Sequence, residues 1–184
     1  MPKPSSGRQQ FFTFNNKGEK ISKNESHDIL PAYANVRIKN KTLEGAMEEF
    51  RKQHANSDHE WAYVVDNQGF VHKYVEGDDN SVKVSSDNPE HMILHNHPKG
   101  GIFSRYDMIN FATSLVKGIV ATTPNGYDYI IEKGTHFNKK SSNFINDILN
   151  AKIKGKNYDD AIHKWLTDNQ KKYSYKYSKK ESKV

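Results

Sequence analysis

The chain has 184 residues, 34% of them hydrophobic and 27% charged, with a formal net charge of +6 and no cysteine. That length accommodates one core with solvated extensions, and the missing cysteines exclude a disulfide framework, a thiolate nucleophile and a Cys-based zinc site, so any metal must rest on His, Asp or Glu. There is no signal-peptide-like N-terminus and no apolar run near the ~18–20 residues that span a bilayer, so the expectation is a cytoplasmic protein without a membrane partner.

Residues 1–30 read as a polar extension, and "AYANVRI" at 32–38 alternates as a strand does. Thr42 is suited to cap a helix whose apolar face is Leu43, Ala46, Met47 and Phe50, running to about residue 54. "EWAYVVD", the turn "NQG" and "FVHKYVEG" form the clearest hairpin, and "HMILHNH" at 91–97 is a short apolar strand ended by Pro98. Ser104 and Asp107 have capping-box spacing ahead of a helix with Met108, Phe111, Ala112 and Leu115 on one face and Gly118 as its stop. "GIVATT", "PNG" and "YDYIIEKG" give a second hairpin; Phe144, Ile145, Ile148 and Leu149 mark one further helix, and Tyr158, Ala161, Ile162, Trp165 and Leu166 another. The mixture of hairpins and helices predicts an α+β or three-layer core. The expected organisation is a polar extension over 1–30, a catalytic domain over 31–137, a C-terminal helical extension over 138–170 and a basic disordered tail over 171–184. Interleaved Tyr and Lys in that tail leave nucleic acid open as a partner. Oligomeric state is not legible.

Residues two apart on a strand share a face, so His95 and His97 present two imidazoles to one point while Asn96 faces away. Gly100 and Gly101 permit a tight path that returns the chain through Ser104 and brings Asp107 over the histidines. Two neutral imidazoles and one carboxylate suit Zn²⁺ with a position left for water. A hydrolytic centre of this kind needs an unligated carboxylate beside the water as its base. The letters "HNH" standing in a row are not the nuclease signature, whose residues are spread over a longer ββα unit.

The run His95-Asn96-His97-Pro98 followed by Ser104-Arg105-Tyr106-Asp107 resembles the His-x-His-Pro, Ser-x-x-Asp signature of JAMM (MPN+/JAB) metalloproteases. It is most similar to the RadC-like branch and to phage or mobile-element JAB domains, and the likeness covers roughly residues 32–137. Its loop of nine residues between His97 and Asp107 is one shorter than in many members, and Asn96 replaces the more usual Ser or Thr. The resemblance implies a JAMM/MPN, cytidine-deaminase-like core with a mixed curved sheet flanked by helices. It implies zinc on His95, His97 and Asp107. Glu60, opening the strand after the first helix, matches the family's general base, and Ser104 its oxyanion donor. The implied activity is hydrolysis of an amide or isopeptide bond in a protein, peptide or ubiquitin-like tail. Alternatives within the resemblance are an accessory role in DNA processing or phage biology, and a delivered toxin or effector domain. His54 and His59 flank Glu60 and are weaker candidates for the cleft; His72, His91, His136 and His163 read as surface residues.

Overall fold

In the computed structural model, which describes residues 9–11, 42–151 and 157–182, seven strands make one mixed sheet. They are β1 (Gln9–Phe11), β2 (Trp61–Val65), β3 (Val71–Glu76), β4 (Met92–Asn96), β5 (Gly118–Thr122), β6 (Tyr127–Lys133) and β7 (Tyr175–Glu181). Their spatial order is β1-β3-β2-β4-β5-β6-β7, and only the β4–β5 pair is parallel. Five helices accompany them among the described residues: α1 (Leu43–His54), α2 (Arg105–Thr113), α3 (Phe137–Asn150), α4 (Tyr158–Asp168) and α5 (Gln170–Tyr173). None is long and apolar enough to cross a membrane. The expected α+β class holds. The expected strand at 32–38 lies outside the described residues.

The period-two pattern of the central strands sorts side chains into two layers. Ala62, Val64, Ile93, Ile119 and Ala121 pack with Met108, Phe111, Phe144, Ile162 and Leu166 of α2, α3 and α4. The alternate residues Tyr63, Val65, Met92, Leu94 and Val120 pack with Ala46 and Phe50 of α1. Thr42 caps α1 as expected, its side chain accepting from Gly45 N at 3.0 Å. Arg51 of α1 pairs with Asp128 of β6, whose side chain is 1% exposed, which fastens the helix to the sheet. Both predicted hairpins form, as β2–β3 and β5–β6.

Two expectations on the chain's ends need correction. Of the expected disordered tail over 171–184, residues 171–182 are folded, because α5 leads into β7, which pairs with β6 from Tyr127↔Glu181 to Lys133↔Tyr175. Tyr173, Tyr175 and Tyr177 turn inward and are buried; Lys176, Lys179 and Lys180 face out, the usual protection of an edge strand against further pairing. The second correction is that residues 1–30 are not wholly outside the sheet, since Gln9–Phe11 pair along β3. Residues 138–170, the expected C-terminal helical extension, pack on the core, where Phe144, Ile148, Ile162 and Leu166 join Met108 and Phe111.

The helix after Ser104 is also shorter than its apolar spacing implied. It ends at Thr113, leaving Leu115 55% exposed. Gly118 opens β5 instead of stopping the helix; a Cβ there would stand 2.2 Å from Ile131 O.

Phe144 is the hub of the C-terminal layer, with ring contacts at 5.3–5.9 Å to Phe111, Phe137, Trp165, Tyr173 and Tyr175. Phe144→Ala is expected to cost about 3–5 kcal/mol in urea unfolding and to expose the α5–β7 segment to protease. A second expectation concerns acid. Burial lowers the His54 pKa from 6.5 to about 3, so below pH ~6.5 the unfolded chain binds a proton that the folded chain refuses. Stability then falls by ~1.4 kcal/mol per pH unit. His54→Phe should flatten that limb between pH ~6.5 and ~4, and equal slopes for variant and wild type in chelator would contradict it.

Candidate metal centre

β4 lies in the middle of the sheet, and the crossover through α2 to the parallel β5 leaves from the C-terminal end of β4. In open sheets this is where sites form. His95 is the penultimate residue of β4, and His97 follows directly, its N–H donating to Thr122 O at 2.9 Å. α2 begins above them. Ser104 caps it with a reciprocal box: Ser104 Oγ accepts from Asp107 N at 3.1 Å, and Ser104 N donates to Asp107 Oδ2 at 2.7 Å. The cap therefore holds the Asp107 carboxylate at a set place over the strand end.

The three side chains converge. His95 Nε2 and His97 Nε2 are 2.9 Å apart, and Asp107 Oδ1 and Oδ2 lie 3.2 Å from His95 Nε2 and His97 Nε2 respectively. An ion held tetrahedrally at ~2.0–2.1 Å separates its donors by ~3.3 Å, close to these spacings, so the three residues could hold one metal ion between them. The donor chemistry fits as well. His97 Nδ1 donates to Gly101 O at 3.0 Å, which leaves Nε2 as the lone-pair side. His95 is 4% exposed, and its Nδ1 has no hydrogen-bond partner among the described residues, so its polar contacts all lie on the Nε2 side. Glycines at 100 and 101 sit at φ +76 and +100, the left-handed path expected for this return.

The electrostatics suit a cation. Asp107 is held far below the usual carboxylate range, the neighbouring His95 and His97 overriding the effect of its burial. Burial alone would lower His97, but its hydrogen bond to Asp107 and that carboxylate's charge raise it to about 9. The field that keeps a proton on His97 favours a divalent ion in the same place.

Glu60 precedes β2. Because Ala62 pairs with His95, the two-residue period puts Glu60 on the sheet face that carries His95 and His97. Backbone bonds of 2.7 Å, from Glu60 N to Asp78 O and from Gly77 N to Glu60 O, carry the β2–β3 pairing through it. Its carboxylate is not one of the converging donors, yet it lines the same cleft as His97, Ser104 and Asp107. Burial raises its pKa, with the two histidines opposing and Asp107 and Asp78 assisting. The cleft has a volume of about 570 Å³, with residues 79–83 on one lip and 97–100 on the other.

Neither flanking histidine joins the centre. His54 is buried on the α1 side, its ring centroid 4.8 Å from that of Trp61 and 5.5 Å from that of Tyr63, and His59 is exposed and paired with Asp58 at 2.6 Å. His72 and His91 stack at 4.3 Å away from it, and His163 bonds Tyr177 Oη at 2.7 Å. Two contributors escaped the sequence reading. Asp159 of α4 accepts from Ile102 N at 3.3 Å, bracing the loop that holds His97. Asn96 bonds the backbone on both sides of Glu60.

No family model, curated protein or solved structure matches the chain.

Purified protein is expected to carry about one zinc per chain, by elemental analysis. His97→Ala and Asp107→Asn should each lose it while remaining folded; the Asn keeps an acceptor for Ser104 N–H and so separates the ligand from the cap. A folded wild type that takes up no zinc would sink the assignment.

Proposed function

We propose that this chain is a zinc-dependent amide hydrolase of the JAMM type that its His95-Asn96-His97-Pro98 and Ser104-Arg105-Tyr106-Asp107 run resembles, on the JAMM/MPN form of an α+β fold. The observation that carries the reading is the convergence of three zinc-type donors within 4.8 Å in a cleft that an unligated glutamate also lines. His95, His97 and Asp107 would hold the ion. Bound zinc supplies Lewis acidity, polarising the scissile carbonyl and bringing the pKa of water to about 7.

The remaining work falls to the chain's own groups. Glu60, its pKa raised by burial, accepts the proton of the attacking water and returns it to the departing nitrogen. Ser104 Oγ accepts one hydrogen bond in the cap, which leaves its O–H to donate to the carbonyl oxygen as that atom gains charge. No side chain is acylated in this scheme. Val82 and Ile102 give the cleft apolar walls, and Lys83, Lys99 and Asn80 give it a polar rim. A slot of this shape suits an extended segment of a protein or ubiquitin-like tail, read through its backbone and a few side-chain pockets.

Glu60→Gln tests the reading. The variant should retain zinc and lose hydrolysis by about 10²–10⁴-fold, measured on a panel of peptide and ubiquitin-like conjugates and on lysate proteins. Equal turnover by the two proteins would remove Glu60 from the chemistry.

A further inference from the structure

We infer that Asn96 is a positioning residue that sets Glu60 at its distance from the two histidines. This rests on the hydrolase reading for its catalytic consequence, but its geometry stands alone. Asn96 is fully buried, at 0% exposure, between two candidate ligands. Its Oδ1 accepts from Trp61 N at 2.6 Å, and its Nδ2 donates to His59 O at 2.8 Å. The two bonded groups belong to the residues on either side of Glu60. One amide side chain therefore grips the backbone before and after the proposed base.

The register explains why this grip is needed. The backbone pairing of β2 with β4 runs from Val65↔Met92 to Ala62↔His95 and goes no further. The next rung outward, Trp61 opposite Asn96, is made by the Asn96 side chain. Beyond it, His97 turns to β5 while Glu60 stays tied to β3 through Asp78 and Gly77. Without a link at Asn96, nothing in the β2–β4 ladder would fix the base relative to the strand that bears the histidines. A buried, two-point link of this kind is short and rigid.

The chemistry selects asparagine. An N–H on one side and a C=O on the other need one acceptor and one donor from the same side chain, and this also fixes which way round the amide sits. Aspartate offers no donor and would set a buried charge against the His59 carbonyl. Serine and alanine do not span both groups, and glutamine is one methylene too long. The same strand thus serves the site from both faces, with His95 and His97 on one and the spacer on the other.

The test uses full-length, zinc-loaded Asn96→Asp and Asn96→Ala. Both should keep about one zinc per chain, because the three ligands are untouched. The expected loss is in kcat, by ten-fold or more, with KM changed less than about two-fold. Amide exchange should show Trp61 N–H protected in the wild type and freely exchanging in both variants. Wild-type kcat in a folded, zinc-loaded variant would overturn the proposal, and so would loss of zinc together with activity. If neither variant folds, the wild type decides, since rapid exchange of Trp61 N–H or of the Asn96 side-chain amide in the folded protein is incompatible with the clamp. A zinc-loaded wild type that cleaves no more than Glu60→Gln does would defeat the hydrolase reading while the exchange data still judge the clamp.

Discussion

The Asp107 carboxylate is the group on which the centre depends, because it answers to a helix and to a strand at once. Oδ2 accepts the Ser104 N–H that closes the cap of α2 and lies 3.2 Å from His97, while Oδ1 lies 3.2 Å from His95. A side chain at the third position of a capping box has little rotational choice, so once α2 starts where it does the third donor is already in place. The loop between strand and helix can then vary in length without moving the ligand. That is why a loop of nine residues still delivers a complete triangle of donors.

A second dependence runs through the C-terminal part of the chain. His97 leans on Gly101 O; the next residue, Ile102, donates its N–H to Asp159; and Tyr158 Oη donates to Phe103 O at 3.4 Å. The first turn of α4 is thereby a brace for the loop that follows His97. α4 in turn is seated by Ile162 and Leu166 in the core that also holds α3 and β7. A boundary drawn after residue 137 would cut the centre from its support. The helices and the last strand belong to the same folding unit as the site.

Much of the centre was legible because it obeys short-range rules. The histidines are two apart on a strand, the cap and the third ligand are three apart at a helix start, and the glycines between them mark the turn. What escaped depends on partners distant in sequence. "YSYKYSKK" alternates Tyr with Ser and Lys, which is strand chemistry on one side, yet its outward lysines look like a solvated tail until β6 is known to lie beside it. Leu115 continued the helical spacing, but the chain leaves the helix at Thr113 to reach β5. Asn96 pointed away from the ligand face, as its position required, and its task appears only when the register of β2 on β4 is known. Glu60 was placed by resemblance, and the parity of that same register gives it an independent physical reason.

Register is accordingly what the chemistry inherits from the core. A slip of β4 by one residue would turn His95 and His97 toward α1 and carry Met92 and Leu94 out of the layer they share with Phe50 and Tyr63. That exchange buries imidazole among aromatic rings and strands two large apolar side chains on the wrong face, so core packing strongly disfavours it. Ile93, between Met92 and Leu94, is packed against the opposite layer, and the slip would displace it as well. The hydrophobic pattern of β4 therefore chooses the face on which the histidines stand. Packing sets this discrete choice, but it does not set the remaining distance across the opening between β2 and β4, where backbone pairing has ended. There a single buried amide links the two chain segments, so the packing of the core and the spacing of the centre meet at consecutive residues of one strand.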